Sequence, residues 1–352
     1  MIDTPKIAVV ILNWNGIKYL RDFLPFVLAS TWPDLDIVVG DNGSSDDSVA
    51  FLKATYPQIR IIENKENYGF TGGYNRVLAQ VDADYYILLN SDVEVEPDWI
   101  QPVIALMETE ELIAAAAPKV RAYHNKTHFE HAGAAGGYID KFGYPFCRGR
   151  IFYEIEEDKG QYDETGEIFW ATGAAMFIKK KYWELSGGFD ESFFAHMEEI
   201  DLCWRLKNMG YKVMYCPQSV VYHVGGGTLN AENPFKTYLN FRNNLLLLKN
   251  NLPFWRGAWV ISLRFLMDLL ALFRFLMEGK RKDAWAISRA HQNFVRRLLT
   301  RSKVKIQNSK NYRDIVAGQK AHLSGTYSRS IVWDFFVDKK TKFSKLNKPD
   351  LY

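Results

Sequence analysis

The apolar run Tyr85-Tyr86-Ile87-Leu88-Leu89 ends abruptly in Asn90-Ser91-Asp92. A carboxylate at the C-terminal end of a buried strand is how open α/β sheets build ligand sites. Asp92 can hold a hard cation, Mg2+ or Mn2+, against a nucleotide diphosphate and so help that group leave. A second acidic feature lies far downstream, in Phe193-Phe194-Ala195-His196-Met197-Glu198-Glu199-Ile200-Asp201. Here Glu198 and Glu199 open a helix, where the macrodipole favours their ionised form. A carboxylate so placed can serve as general base for a hydroxyl nucleophile; alone, the same acids read equally well as a solvated first turn. Asp201 and Arg205 stand four apart and form a structural pair on one helix face. His223 closes a late strand before Gly225-Gly226-Gly227. A lone histidine is more often a packed residue, and becomes a metal ligand if it meets Asp92 in space.

Three further segments fall where a parallel sheet gathers ligands. Asn13-Trp14-Asn15-Gly16 follows the first strand. Asp41-Asn42-Gly43-Ser44-Ser45-Asp46 follows the second, and Asp41 can accept a hydrogen bond from a base imide N–H. Ser44, Ser45 or Asp46 can cap the next helix, so a capped turn is the plain alternative. The third is Asn67-Tyr68-Gly69-Phe70-Thr71-Gly72-Gly73. Its glycines permit close backbone approach to a ligand at a helix N-terminus. It lacks the Gly-Lys-Ser/Thr ending of a phosphate-binding P-loop, and it is not a dinucleotide fingerprint, which would follow the first strand.

The elements that position these residues can be read from periodicity. Strand-length apolar runs at 7–12, 37–39, 59–62, 85–89 and 114–120 alternate with helical patterns at about 17–30, 46–55, 72–81 and 97–109. Such alternation predicts an α/β fold with a mostly parallel sheet covered by helices. Pro25 should kink or shorten the first helix. Residues 121–168 have weak periodicity and read as irregular structure or short antiparallel strands. Structure resumes at 169–178, and a helix from about 199 to 209 stopped by Gly210 and short strands at 213–215 and 220–223 follow. The expected organisation is a nucleotide-sugar-binding half at 1–120, an acceptor and catalytic half at 121–232, and a helical basic extension at 233–352.

With 352 residues, 47% hydrophobic and 24% charged, the chain is globular and can bury a large core. Its net charge of +3 hides an asymmetry. Residues 279–352 hold 18 Lys and Arg against 5 Asp and Glu, a balance of +13, which leaves 26 against 36, or −10, on the rest. An acidic body with a basic tail points to an anionic membrane surface. Nucleic acid is set aside, because only the tail speaks for it. The segment 259–277 is apolar except for Ser262, Arg264, Asp268 and Arg274. The three charges fall within roughly 120° of helix circumference. That predicts a helix lying on the membrane rather than spanning it, with Lys280-Arg281-Lys282 favouring anionic headgroups; the alternative is a helix packed on the protein itself. Three scattered cysteines and a start that runs directly into a strand fit a cytoplasmic protein, peripheral on the inner face of the cell membrane.

Taken in order, these segments resemble the family 2 inverting glycosyltransferases. The residues that carry the resemblance are Val9–Gly16, Asp41–Asp46, Asn67–Phe70, Leu88–Asp92, Thr172-Gly173-Ala174-Ala175-Met176, Gly187–Glu191 and Glu198–Arg205. The likeness spans about residues 7–228, and the first and fourth segments resemble the rhamnosyltransferase-like branch, which builds bacterial surface polysaccharides. The resemblance implies a glycosyltransferase-A fold, a UDP- or dTDP-sugar donor, a glycan or lipid-linked acceptor and a divalent cation. It implies that Asp41 binds the pyrimidine, and that Asn13, Trp14, Asn15, Asn67, Gly69, Phe70, Gly73, Asn90 and Ser91 line the nucleotide-sugar. Asp92 would hold the metal with His223, Glu199 would be the base, and Trp170, Thr172 and Gly173 would line the sugar and acceptor pocket. Two departures stand out. Asn90 replaces one metal carboxylate of the family's Asp-x-Asp. Glu199 stands where the family has Asp; it is one methylene longer, about 1 Å of reach, so Glu198 stays an alternative base.

Two rival functions are weighed. A catalytically inactive sugar-nucleotide or polysaccharide-binding protein on the same fold would explain both departures. A sugar-phosphate nucleotidyltransferase would need a Gly-rich, basic loop after the first strand, and Asn13–Lys18 is a poor match.

Overall fold

The computed structural model describes residues 4–130, 133–225, 233–298, 304 and 323–351. The central sheet has strand order β12-β14-β6-β13-β4-β1-β2-β3. These strands are β1 (Ile7–Asn13), β2 (Leu35–Asp41), β3 (Arg60–Glu63), β4 (Tyr85–Leu89), β6 (Ile113–Ala122), β12 (Gly166–Glu167), β13 (Ala175–Lys179) and β14 (Lys212–His223). β3, β2, β1 and β4 are mutually parallel. β13 enters antiparallel between β4 and β6, and β14 runs parallel to β6. The β3-β2-β1-β4 run is the parallel sheet expected from the alternation, but the sheet as a whole is mixed, because β12 and β13 pair antiparallel with their neighbours. The two late strands expected at 213–215 and 220–223 are one strand, β14, with a register shift between Cys216 and Val220.

Side-chain alternation explains why the sheet is covered on both faces. In β1, Ile7, Val9 and Ile11 join one buried cluster while Ala8 and Val10 join another. β4 does the same, with Tyr85, Ile87 and Leu89 on one side and Tyr86 and Leu88 on the other. A strand buried on both faces reads as a continuous apolar run. The first face is covered by α1 (Ile17–Leu28), α2 (Ser48–Thr55) and α4 (Ile100–Glu108). The other is covered by α3 (Gly69–Leu78), α5 (Lys180–Ser186) and α6 (Glu198–Asn208). α1 carries Pro25 inside its last turn and ends at Leu28, two residues short of the expected end.

Residues 121–168 form short strands, including β7 (Asn125–Phe129), β8 (Gly137–Asp140), β9 (Pro145–Cys147), β10 (Arg150–Ile151) and β11 (Glu154–Ile155). The last four, with β15 (Thr326–Tyr327), make a second sheet of order β11-β10-β9-β8-β15. Buried Asp140 ties it together: its carboxylate accepts the backbone N–H groups of Phe142, Tyr144 and Ile331, at 2.9, 2.8 and 3.0 Å.

The C-terminal extension is α7 (Pro234–Asn251), α8 (Phe254–Met277), α9 (Arg281–Arg297) and a short helix α10 (Ile331–Phe336). Leu245, Leu246, Leu247 and Leu248 of α7 share a core cluster with Phe169, Trp170 and Trp204. α8 is turned inside out. Its buried positions are Gly257, Val260, Arg264 and Asp268. Arg264 donates to Phe142 O and Asn244 Oδ1 and lies over the Tyr144 ring, while His291 of α9 pairs with Asp268 at 3.0 Å. Its outer positions, Trp255, Trp259, Leu266, Leu269, Leu270, Phe273 and Met277, are exposed. Among the described residues no helix is long and apolar enough to cross a membrane. Gly226, Gly227 and most of the basic stretch 299–322 lie outside the described residues.

Candidate active site

The site collects at the C-terminal ends of β1, β2 and β4. A short strand missed by periodicity, β5 (Val93–Val95), follows Asp92 and pairs antiparallel with β14, setting Val93 opposite His223. That register carries Asp92 and His223 into contact across 131 residues of chain. His223 Nε2 lies 3.2 Å from Asp92 Oδ1 and 3.4 Å from Asn90 Nδ2. Its Nδ1 lies 3.2 Å from Glu130 Oε2, though not aligned as a hydrogen bond. Burial works against a charge on His223, but the Asp92 and Glu130 carboxylates outweigh it and raise the imidazole to about 10.

Whether these residues fit a cation can be judged from the donor set. Ligands about 2.1 Å from Mg2+ in octahedral geometry sit about 3 Å from one another. The 3.2 Å separation of Asp92 Oδ1 and His223 Nε2 suits two neighbouring positions. Among the described residues no group of three or more His, Cys, Asp or Glu side chains is arranged to hold a metal ion. The pair therefore fits a cation that displaces the imidazole proton and takes its remaining oxygens from a nucleotide diphosphate, as Mg2+ sites often do.

The donor side is built by a network of amides. Asp41 Oδ1 accepts from Asn13 Nδ2 at 3.1 Å and Asp41 Oδ2 from Ser44 N at 2.9 Å. Asn15, in the left-handed region at φ 50°, accepts Ser45 N at 2.7 Å. Trp14 stands exposed beside them. Asn42 is the hub that the sequence reading passed over. Its Nδ2 donates to Asn67 Oδ1 and Gly69 O, both at 3.0 Å, and its Oδ1 accepts Asn64 Nδ2 and Tyr68 N. Asn67 Oδ1 also accepts Gly69 N at 2.8 Å, which starts α3. Gly73 is required by proximity, because a Cβ there would fall 2.8 Å from the Leu12 side chain. Ser91 sits beside the Gly16 turn.

A second cluster meets the Asn67–Gly73 turn at Phe70. A Cβ on Gly173 would lie 3.4 Å from the Phe70 ring and 3.9 Å from Glu199 Cβ, so Gly173, Phe70 and Glu199 converge. Glu198 is almost fully buried, whereas Glu199 keeps partial exposure. Burial pushes the Glu199 carboxyl up to about 7, against the pull of nearby backbone N–H groups. Burial, then the neighbouring Glu199, raises Glu198 well above the carboxylate range. Each acid keeps one Oε2 without a protein partner. A group near 7 with some access is the better general base; one held protonated in the core is not. Of the other pocket residues expected from sequence, Thr172 is buried and accepts Ala174 N at 3.2 Å. Trp170 is a packing residue: its ring fills the space where Gly137 lacks a Cβ, and its Nε1 donates to Tyr138 O at 2.9 Å.

Glu130 was also missed by the sequence reading. Its signal was an acid set between Phe129 and a glycine-rich stretch, in a segment whose periodicity gave no element.

With this geometry in hand, comparison with known proteins is informative. A curated relative, the N-acetylglucosaminyl-diphospho-decaprenol L-rhamnosyltransferase of Mycobacterium tuberculosis, is 24% identical over 235 residues, 62% of this chain and 76% of its own. Among solved structures, GalNAc-T7 with UDP, GalNAc and Mn2+ superposes with a TM-score of 0.51 at 17% identity, over 62% of this chain and 43% of that one. The mannosyltransferase PcManGT from Pyrobaculum calidifontis, in complex with GDP-Man and Mn2+, gives 0.50 at 13%, over 85% and 88%. These structures share the glycosyltransferase-A fold with this protein. The model of the glycosyl transferase family 2 matches residues 8–185, half of the chain, and the chain belongs to that family.

Proposed function

We propose that this glycosyltransferase moves a sugar from a UDP- or dTDP-sugar to a hydroxyl of a glycan or lipid-linked acceptor, with inversion, in the building of a bacterial surface polysaccharide. Two arrangements carry the reading. Asp92 and His223 stand 3.2 Å apart on the donor side, and Glu199 faces Gly173 and Phe70. The rhamnosyltransferase relative supports a lipid-linked acceptor.

Each residue then has a task. Asp41, beside Asn13 and Ser44, receives the pyrimidine, and the Asn67–Gly73 turn receives the nucleotide. Glu199 takes the proton from the acceptor hydroxyl, and that oxygen attacks the anomeric carbon from the face opposite the diphosphate. The transition state is oxocarbenium-like, as in glycoside hydrolysis. Asp92 and His223 would hold a divalent cation, Mg2+ or Mn2+, whose charge stabilises the leaving diphosphate.

The same proposal places the enzyme on an anionic membrane, at its cytoplasmic face. The outward apolar face of α8, followed by Lys280, Arg281 and Lys282, supports it. The deciding experiment is turnover of a panel of UDP- and dTDP-sugars with Mn2+ and a polyprenyl-diphosphate-linked acceptor. Stereochemistry at the new bond is read by NMR. Product of retained configuration would exclude the single displacement. No product with any donor would favour the inactive binding protein.

A further inference from the structure

The segment entering α6 is held in a conformation that its own residues disfavour. Phe194, His196 and Met197 all have positive φ, at 67°, 68° and 72°, although none is glycine. Such strain persists only where the surroundings over-determine it, and it concentrates at functional sites. Glu198 and Glu199 follow immediately.

What over-determines it comes from the C-terminal extension. Asn243 of α7 aims its amide into the segment, with Nδ2 at 3.0 Å from Phe193 O and 2.7 Å from both Ala195 O and His196 O. The amide is itself fixed, because its Oδ1 accepts from Arg242 Nε at 2.8 Å and Nη2 at 2.6 Å. Arg242 Nη2 also donates to Phe193 O at 2.8 Å and Ser192 O at 3.1 Å. Both side chains are buried. On its other side the segment bears on the donor turn. Phe194 O accepts Thr71 N at 3.2 Å, and the Phe194 ring occupies the space beside Gly69, where a Cβ would fall 2.5 Å away.

We infer that Asn243 and Arg242 are positioning residues for Glu199, holding segment 192–197 so that the first turn of α6 faces the donor turn. The inference rests on the glycosyl-transfer reading and deepens it: the helical extension is then part of the catalytic apparatus as well as its support. An amide is the right group for the task, since it presents fixed N–H donors to converging carbonyls and carries no charge toward two acidic neighbours. A purely structural role would lower stability and leave the turnover of folded enzyme alone.

The test uses the full chain with Asn243→Ala and Arg242→Lys. The lysine keeps a cation but cannot reach Asn243 and two carbonyls together. Hydrogen exchange, UDP–Mn2+ calorimetry and steady-state kinetics are read on folded protein. The inference expects faster exchange at 193–199, UDP affinity near wild type, and kcat lower by about 100-fold with donor KM unchanged, the scale of an ångström-level misplacement. Unchanged exchange and unchanged kcat would overturn it, as would a kcat loss matched by the loss of folded protein. If neither variant folds, exchange of the wild type decides: amides of 193–197 must be protected like those of α7, and exchange at exposed-loop rates sinks the clamp. Wild-type protein inert toward every donor would count against the glycosyl-transfer reading, and the exchange data would still judge the clamp.

Discussion

His223 Nε2 lies 3.2 Å from Asp92 Oδ1 because the β5–β14 register sets His223 opposite Val93, one residue beyond Asp92. Only one of the two donors is a carboxylate, so cation affinity must lean on the nucleotide's own phosphates. Asp92→Ala and His223→Ala should each weaken UDP binding measured with Mn2+ and leave binding in EDTA nearly unchanged. Glu130 Oε2 lies 3.2 Å from the other ring nitrogen, behind the imidazole. Glu130→Gln should cost about 10–100-fold in Mn2+ affinity, the usual scale for a partner behind a metal ligand. Calorimetry showing equal UDP affinity with and without Mn2+ in the wild type would remove the metal from this site.

The proposed base, Glu199, carries a pH signature. Burial raises the Glu199 carboxyl from its ordinary 4.5 to about 7. A base works when deprotonated, so kcat/KM should rise with pH through about 7 and then level off. The linkage for stability has the opposite sign. Between pH 4.5 and 7 the folded protein holds a proton on Glu199 that the unfolded chain has lost, so this group's contribution falls as pH rises across that window. Glu199→Gln should therefore abolish transfer, keep UDP binding, and raise the melting temperature at pH 8 while leaving it nearly unchanged at pH 4. A variant with near-normal turnover at pH 8 would strip Glu199 of its role; Glu198→Gln then becomes the decisive substitution.

Much of this was legible in the sequence, and the reasons are physical. β1 and β4 are buried on both faces, so their apolar runs were unbroken, and the polar residues ending them marked the site. Asn90-Ser91-Asp92 and Glu198-Glu199 were visible as charges where a sheet and a helix gather ligands. Register was not visible. The meeting of Asp92 with His223 depends on the three-residue strand β5, too short for any periodic signal. Asn42 and Glu130 escaped because their roles come from what converges on them in space. Trp170 entered as pocket lining through the resemblance, and nothing in the sequence showed that its ring would lie against Gly137. For α8 the positions of the charges were right, but sequence could not say which way they faced. Arg264 and Asp268 turn inward because Asn244, Phe142 O and His291 await them there.

Glycines near the donor should differ sharply in tolerance. Gly69 has φ 72°, and an added Cβ would collide with Phe194 at 2.5 Å. Gly69→Ala should disrupt the turn and weaken UDP binding at least as strongly as Asp92→Ala. At Gly173 the nearest atom would be 3.4 Å away, an ordinary contact, and its φ is unremarkable for a side chain. Gly173→Ala should fold and bind UDP normally, with its effect confined to acceptor KM. Equal losses of UDP affinity in both variants would break the assignment of Gly173 to the acceptor side.

The membrane reading turns on the two faces of α8. Leu270 and Phe273 are 71% and 58% exposed, and Trp255 and Met277, at the two ends of α8, more so. Burying each such side chain in lipid is worth roughly 1.5–3 kcal/mol. Leu270→Glu and Phe273→Glu should therefore leave the melting temperature near wild type and greatly reduce flotation with phosphatidylglycerol vesicles. Arg264 and Asp268, on the other face, predict the reverse pattern. Arg264→Leu leaves buried Asp268 with His291 as its remaining charged partner and Asn244 Oδ1 without its donor, and should cost stability before it costs lipid binding. Raising salt should weaken flotation on anionic vesicles through Lys280, Arg281 and Lys282, and have little effect on the apolar share. Equal flotation of wild type and the two glutamate variants would show that the outward face of α8 does not meet lipid, and would turn attention to a second protein as its cover.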